Sequence, residues 1–329
     1  MKRFEKYAPV IIPTLCRYEH FKRCIDSLSR CTGSEFTDVY IGLDYPAKEE
    51  HWTGYRKICE YLKNVSGFNN LIVLLRDHNY GVSRNIDDLK ERVKRVSDRF
   101  IFSEDDNEFA PNFLEYMNEG LTRFKDNPNV LRICGCLMPW SADFNKTMGD
   151  WGYNAFPAID YNAFGIGVWF EKSPTIPYTK DSVLNSWKLT FKALRSGCWG
   201  AINILYDLME KESQLPDVCL RLYCTFNKKY CIFPVISKSK NWGHDGSGVN
   251  SNDQPCLMEK QMLDTSKDFN FDDFEIKDYP EVKNFVKQMY GVNTFRKKVV
   301  LLFSYTFYRT TGLRIRDFRE RNSNKCHKK

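Results

Sequence analysis

Apolar and polar residues alternate along the first 136 residues in a pattern that switches repeatedly between strand and helix. Five short apolar runs predict buried strands, at residues 9–13, 38–44, 71–75, 100–103 and 130–136. Apolar residues at helical spacing predict helices between them, at residues 20–29, 52–64, 82–96 and 112–124. This repeated βαβ pattern predicts a parallel sheet with helices on both faces.

The pattern changes after residue 137. Residues 139–178 are rich in aromatic side chains, namely Trp140, Trp151, Tyr153, Phe156 and Tyr161. Flat rings over a sheet edge suit a sugar or acceptor site, although each ring taken singly is better explained as part of the core. Further strands are predicted at residues 161–172 and 230–235, and helices at 198–211 and 217–226. A glycine-rich loop follows at residues 241–250.

Composition indicates a globular protein. With 329 residues, 42% of them hydrophobic, the chain is long enough for one large α/β domain, or for one domain plus a smaller appendage. No run of about 20 apolar residues occurs, and the N-terminus lacks the apolar core of a signal peptide, so we expect a cytosolic protein. The twelve cysteines show no C-x2-C spacing. Reduced thiols are therefore favoured over a zinc site or a disulfide framework.

Positive charge is concentrated in the last 39 residues. The net charge is +7, yet residues 291–329 hold eleven Lys or Arg against two acids, so the rest of the chain is close to neutral. Apolar and aromatic residues lie among these cations. Three interpretations stay open: a segment at an anionic membrane surface, a helix packed on the body, and, least favoured, a nucleic-acid-binding tail.

Three acids in succession, Glu104, Asp105 and Asp106, directly follow the fourth predicted strand. Ligands of an open α/β sheet bind outside the carboxyl ends of its strands, so these acids are expected to face a ligand. Clustered like charges are costly unless a cation lies among them, and a divalent metal carrying a diphosphate is the candidate. The alternative is a solvated acidic turn.

Polar residues follow the other strands at the same predicted edge, and they are candidates for binding the donor: Pro13, Thr14, Asp44, Arg76, Arg84 and Asn85. A carboxylate such as Asp44 can accept hydrogen bonds from a nucleobase or a ribose hydroxyl. Arginines at this edge can reach a base or a diphosphate. No single residue indicates a donor site, whereas polar groups at four successive strand ends together do.

These residues resemble those of known enzymes. Four features occur along the chain in the order IPTLCRYEHFKRCIDSL, Asp44, HNYGVSRNI and EDDNEFAPNF. Together they resemble GT-A fold glycosyltransferases over roughly residues 9–251. The EDD segment is similar to the metal-binding motif of the inverting N-acetylglucosaminyltransferase I family and of bacterial family 2 enzymes. The resemblance implies an α/β, Rossmann-like, mixed but mainly parallel sheet flanked by helices. It also implies a catalytic domain at residues 1–250, with a nucleotide-binding half 1–136 and an acceptor half 137–250. A linker or accessory segment at 251–290 and a basic amphipathic helical tail at 291–329 would follow.

The resemblance also implies roles for single residues. Asp106 would bind the metal, Mn²⁺ or Mg²⁺, while Glu104 and Asp105 would act through water or through the donor's ribose and sugar. Asp217 corresponds to the catalytic base, although this chain has Pro-Asp where the family usually has an acidic pair; otherwise it is a helix cap or a first-turn acid. His244 is predicted to complete the metal site or touch the diphosphate, or else to be an exposed loop residue.

The sequence thus predicts an inverting, metal-dependent glycosyltransferase. The donor would be a nucleoside-diphosphate sugar, with UDP favoured and N-acetylglucosamine or another hexose as the sugar. The acceptor would be a glycan or lipid-linked hydroxyl used for surface polysaccharide, at the inner face of a bacterial-type cell membrane. A sugar nucleotidyltransferase is the second hypothesis, but the first strand lacks its glycine-rich phosphate loop. A non-catalytic nucleotide-sugar-binding, membrane-associated protein is the third.

Overall fold

The structure of the protein is a computed structural model that describes residues 3–137, 148, 151–210, 215–245, 261–289, 292 and 294–313. Its strands are β1 Val10–Thr14, β2 Asp38–Leu43, β3 Asn70–Leu75, β4 Arg99–Phe102, β5 Asn107–Phe109, β6 Val130–Cys134, β7 Ala155–Ala158, β8 Ile166–Trp169, β9 Tyr230–Pro234 and β10 Ser239–Asn241. Its helices are α1 Tyr18–Ser29, α2 His51–Leu62, α3 Gly81–Lys94, α4 Phe113–Arg123, α5 Lys180–Leu184, α6 Trp187–Arg195, α7 Trp199–Asp207, α8 Pro216–Asn227, α9 Pro280–Met289 and α10 Phe295–Thr311.

Eight strands form one sheet in the order β3-β2-β1-β4-β8-β6-β9-β7. Strands β3, β2, β1 and β4 are parallel neighbours, as are β6 and β9. The predicted mixed, mainly parallel α/β sheet is therefore confirmed. The five strands of the βαβ pattern run in one direction, as predicted, and the antiparallel strands come later in the chain: β8 lies between β4 and β6, and β7 is antiparallel to β9. An apolar run shows that a strand is buried but carries no information about its direction.

Alternate side chains of the strands fill two apolar cores, one on each face of the sheet. Val10 and Ile12 of β1 pack with α1, α2 and α4, while Ile11 between them packs with α3 and α9. The two-residue period of a strand explains this division. Helices therefore cover both faces, as predicted, and the carboxyl ends of β1, β2, β3 and β4 lie along one edge.

The short strands β5 and β10 form a separate antiparallel ribbon, in which Asn107 is paired with Asn241. The ribbon starts directly after the three acids of the sequence motif. It therefore places the residues that follow 241 against that motif, although the two are more than 130 residues apart in the sequence.

A third apolar cluster joins α5, α6, α7, α8 and α10. Leu301 and Tyr305 of α10 are buried in it, so part of the basic tail is a helix packed on the body of the protein. No helix among the described residues is both long and apolar enough to cross a membrane. The ten cysteines of the described residues are free thiols.

Candidate active site

The acidic motif forms a tight turn between β4 and β5. The Ser103 hydroxyl donates a hydrogen bond to the Glu104 carbonyl (2.8 Å) and accepts one from the Asn107 side-chain amide (2.9 Å). These bonds fix the backbone on both sides of the three carboxyl groups. Asp105 and Asp106 are buried, each with 6% of its surface exposed. A solvated acidic turn would leave both side chains in water, so that alternative does not describe these two residues.

Arg17 neutralises the two buried carboxylates. Its guanidinium forms an ion pair with Asp105 and lies 2.8 Å from Asp106 Oδ2. Thr14, at the end of β1, donates its hydroxyl hydrogen to Asp105 Oδ2 (2.8 Å). Burial raises the pKa of Asp105 above its ordinary value, although Arg17 acts in the opposite direction. Burial lowers the pKa of Arg17, but the charges of Asp105 and Asp106 outweigh it, so the pKa lies above its ordinary value.

The chain after β10 packs on Asp106. Asn241 donates a side-chain hydrogen bond to Asp106 Oδ1 (2.5 Å), and the Trp242 amide donates to the Asp106 carbonyl (2.8 Å). A Cβ atom on Gly243 would collide with Asp106 Oδ2, so only glycine allows this close approach. His244 is the next residue, and burial lowers its pKa although the charges of Asp106 and Asp245 raise it. Its imidazole is therefore neutral at neutral pH.

Asp106 and His244 suit a divalent cation. The first is an ionisable carboxylate, and the second is an imidazole in the neutral form that binds metals. No group of three His, Cys, Asp or Glu side chains in the described part of the chain is arranged to hold a metal ion. Two protein ligands suffice where substrate phosphates and water supply the others, as is usual for Mg²⁺ in phosphate-handling sites. The residues present therefore fit a metal that binds together with a diphosphate.

Asp217 lies in the first turn of α8, whose N-cap residue is Leu215 and whose first residue is Pro216. Asp217 is therefore a first-turn acid and not the helix cap. Its side chain is accessible to water, yet the surrounding protein displaces enough solvent to raise the pKa of Asp217 to about 6. Burial and the charges of Asp106 and Asp217 raise the pKa of Glu104. Asp217 is therefore within electrostatic range of the acidic turn.

Asp44 holds the end of β2 against the loop that precedes α3. Its Oδ1 accepts hydrogen bonds from the backbone amides of Tyr45 (2.9 Å) and Tyr80 (2.7 Å). Within the described residues, Oδ2 receives one long contact, 3.4 Å from the Asn79 amide. Asp44 therefore has a structural role, and its second oxygen retains the capacity to accept a hydrogen bond from a ligand.

Arg76 and Asn85 contact each other inside the protein. Arg76 donates two hydrogen bonds to Asn85 Oδ1 (3.0 and 2.9 Å) and pairs with Asp88 Oδ2 at 2.7 Å. Asn85 in turn donates to the Gly42 carbonyl (2.8 Å). These bonds fasten α3 to β2 and β3. Contact of either residue with a nucleotide stays a prediction.

Arg84 and Pro13 have different surroundings. The exposed guanidinium of Arg84 stacks on the Tyr80 ring at 4.0 Å, on a surface next to Asp44. Pro13 lies within β1, where it is paired with Gly42. Pro13 therefore shapes the strand end that presents Thr14, and a direct contact of Pro13 or Arg84 with the donor is untested.

The aromatic segment contributes to packing. Trp151 contacts the rings of Phe156 and Tyr279, and its indole donates a hydrogen bond to the Ala155 carbonyl (3.0 Å). Trp140 lies outside the described residues. Tyr161 lies near the candidate base, because burial and then the charge of Asp217 raise the pKa of Tyr161. The acceptor interpretation therefore concerns Tyr161 more directly than the tryptophans.

Two residues of the site were not predicted from the sequence. Arg17 occupies the N-cap position of α1, yet its side chain makes no capping hydrogen bond and pairs with the acids instead. Asn241 ends β10, a strand of three residues. The position of Arg17 just after the first strand was a usable signal, whereas nothing local marked Asn241.

No protein-family profile and no curated protein sequence matches the chain. Several solved structures are similar to it. S. aureus TarS is 18% identical over 43% of this chain (TM-score 0.29), and the chain spans about a quarter (24%) of the TarS structure. The mannosyltransferase PcManGT from Pyrobaculum calidifontis, solved with GDP-Man and Mn²⁺, is 10% identical over 67% of this chain and 69% of its own (TM-score 0.37). GalNAc-T7, solved with UDP, GalNAc and Mn²⁺, is 11% identical over 72% of this chain and 44% of its own (TM-score 0.41). At these identities and TM-scores no residue's role is carried over.

Replacing Arg17 should expose the repulsion between Asp105 and Asp106. We expect Arg17→Ala to lower the free energy of unfolding by about 2 kcal/mol at neutral pH without divalent metal, because one partner of a partly buried charge cluster is lost. The loss should shrink on acidification, because protonation of the carboxyl groups removes their repulsion. It should also shrink with Mn²⁺. Urea unfolding with and without Mn²⁺ measures both effects.

The matched control is Arg56→Ala, which removes an exposed arginine that stacks on Trp52. Its loss of unfolding free energy should be much smaller and should depend on neither pH nor Mn²⁺. Equal losses in the two variants would mean that Arg17 does not neutralise the acidic turn.

Proposed function

We propose that this protein is an inverting glycosyltransferase that moves a sugar from a nucleoside-diphosphate sugar to an acceptor hydroxyl. The observation that carries the proposal is one arrangement of charges at the carboxyl ends of the strands. Asp105 and Asp106 are buried and compensated by Arg17. The charge of Asp217 acts on Glu104 of the same acidic turn. A diphosphate-binding cation site beside an independent base is what this reaction requires.

The donor would bind along the carboxyl ends of β1, β2 and β4. Asp44 Oδ2 would accept a hydrogen bond from the base or ribose, and UDP remains the favoured nucleotide. Asp106 and His244 would hold Mn²⁺ or Mg²⁺, which when bound neutralises charge that develops on the leaving diphosphate. Arg17, already beside these acids, would orient the diphosphate oxygens as a fixed cation.

Asp217 would act as the general base. Its carboxylate would take the proton of the acceptor hydroxyl while that oxygen attacks the anomeric carbon. The bond from that carbon to the diphosphate oxygen breaks, and the nucleoside diphosphate leaves with the electron pair. Attack from the side opposite the leaving group inverts the configuration. With a pKa of about 6, Asp217 is ionised at neutral pH and accepts a proton more readily than an ordinary carboxylate, which suits a general base.

The acceptor would be a glycan or lipid-linked hydroxyl used in surface polysaccharide synthesis, reached from the cytosolic side of the cell membrane. The pattern of exposed and basic residues in the C-terminal helix supports a position near a membrane. The ring of Tyr161, on which the charge of Asp217 acts, supports a carbohydrate acceptor, since rings stack on sugar faces.

A panel of nucleotide-sugars with and without Mn²⁺ tests the proposal. We expect metal-dependent release of free nucleoside diphosphate from one donor, accelerated by the correct acceptor, and a product of inverted anomeric configuration by NMR. Release of pyrophosphate from a nucleoside triphosphate and a sugar phosphate would instead identify a sugar nucleotidyltransferase. Nucleotide-sugar binding without turnover for any acceptor would identify a non-catalytic binding protein.

A further inference from the structure

Helix α10 is packed on the protein along one side only. On that side Leu301 and Tyr305 are buried, and the Tyr305 hydroxyl donates a hydrogen bond to the Leu184 carbonyl (2.9 Å). The ring of Tyr308 contacts Tyr206 of α7, with centroids 6.0 Å apart. These contacts fix the rotation of the helix about its axis.

The other side of α10 exposes large apolar side chains. Phe295, Val299 and Phe303 are 85%, 47% and 65% exposed, and Val300 is 57% exposed. The first three are spaced four residues apart, so they form one row along the helix. We refer to these four residues as the α10 stripe. An apolar row of this size on a surface helix indicates an interaction site, because soluble proteins seldom expose such a row without a partner.

Basic side chains accompany the α10 stripe. Arg296 is exposed in the first turn of the helix, and at 100° per residue it lies on the same side as Val300 and Phe303. The sequence that follows the helix, residues 314–329, contains seven more Lys or Arg against two acids. Apolar rows with adjacent cations are typical of helices that lie in the interface of an anionic membrane. A protein partner would need acidic groups matched to these positions, whereas an anionic lipid surface supplies them everywhere.

We propose that the α10 stripe, with Arg296, docks this protein on a membrane that contains anionic lipid. The helix would lie in the plane of the membrane, with Phe295 and Phe303 inserted between head groups. It would remain attached to α7 through its opposite side. Docking would therefore not require the helix to leave the protein.

The position of α10 connects the membrane to the candidate site. Leu301 and Tyr305 share an apolar cluster with Leu222 of α8, and α8 carries Asp217 in its first turn. Docking would bring Asp217 towards acceptors held in the membrane. This step alone rests on the proposed function. Docking itself requires no catalysis, so it is measured separately.

Flotation of the full-length protein with vesicles tests docking. We expect binding to phosphatidylcholine vesicles that contain phosphatidylglycerol, weaker binding at high salt, and little binding to phosphatidylcholine alone. Phe295→Ser/Phe303→Ser and, separately, Arg296→Glu should each lower the partition coefficient about tenfold or more. The matched control is Leu75→Ser/Met262→Ser, which removes two exposed apolar side chains elsewhere and should bind as wild type does.

The serine variants replace exposed side chains, so they should keep the wild-type melting temperature and affinity for a nucleoside diphosphate. The charge variant tests docking independently if the serine pair lowers stability. Wild-type protein that ignores anionic vesicles at low salt would overturn the proposal. Vesicle binding that the serine variant and the charge variant both retain would also overturn it. So would self-association through the α10 stripe in place of vesicle binding. Vesicle binding by a protein without transferase activity would uphold docking and refute only the proposed function.

Discussion

Asp106→Asn is expected to abolish metal-dependent binding of a nucleoside diphosphate. The amide keeps the shape of the carboxylate, and its oxygen can still accept the hydrogen bond from Asn241, but the charge that attracts the cation is lost. Even residues that only support metal ligands cost 10- to 100-fold in affinity, so loss of a ligand should cost at least about 100-fold. Calorimetric titration of UDP in Mn²⁺ and in chelator measures the metal-dependent part.

Glu108→Gln is the matched control for this variant. Glu108 lies in β5 two residues after Asp106, and its carboxylate accepts a hydrogen bond from the Trp242 indole (2.7 Å). The substitution removes the same charge from the same ribbon, outside the acidic turn. We expect nearly normal Mn²⁺-dependent binding. Equal affinities for Asp106→Asn and wild type would remove Asp106 from the proposed metal site.

Asp217→Asn is expected to lower turnover by about 10²- to 10⁴-fold while donor affinity changes little, because the amide cannot accept the proton. In the wild type, turnover should fall as the pH drops through about 6, where Asp217 becomes protonated. The variant should lose this acid limb. Rates at saturating acceptor across this pH range measure both effects.

The pH dependence of stability gives an independent reading of Asp217. Its folded-state pKa of about 6 lies above its ordinary value of 3.8, so the ionised carboxylate destabilises the folded state, fully so above about pH 6. Asp217→Asn should therefore unfold no more easily than wild type at neutral pH. Asp181→Asn, the same change in the first turn of α5, should affect neither turnover nor its pH profile. Normal turnover of Asp217→Asn would make this residue a helix-terminal acid and place the base elsewhere.

The regular part of the fold was readable from the sequence because most of its strands are short apolar runs. All five residues of β1 are buried, and such apolar runs stand out. Strands β5, β7 and β10 were not predicted, since β5 and β10 have only three residues each and β7 contains Pro157, which cannot donate a hydrogen bond to a neighbouring strand. The direction of β8 depends on its neighbours and not on its own residues.

The candidate site was predicted where the signal is local. Glu104, Asp105 and Asp106 follow a strand without interruption, so their place at the sheet edge could be inferred. The pairing of Arg17 with Asp105 joins residues 88 positions apart and is visible only in the folded chain. The same holds for Arg76: its sequence position suggested a ligand contact, but the structure adds its bonds to Asn85 and Asp88.

The tail shows how one sequence pattern can allow two explanations. Its apolar residues suggested either packing or a membrane contact. Packing of Leu301 and Tyr305 is observed, while Phe295 and Phe303 remain on the opposite side. Helical periodicity places the apolar residues of α10 on two opposite faces, and composition alone does not show which residue lies on which face.

The place of β8 in the sheet sets the order in which the protein can be completed during synthesis. When residue 136 has been made, β4 and β6 both exist, but the strand that lies between them is still to come. The open side of β4 is covered only after Trp169 has been added, and β9 closes the other side of β6 only after Pro234. Most of the chain must therefore leave the ribosome before the sheet is whole. Exposed strand edges of this kind promote aggregation, so we expect a truncated chain ending at residue 136 to be insoluble.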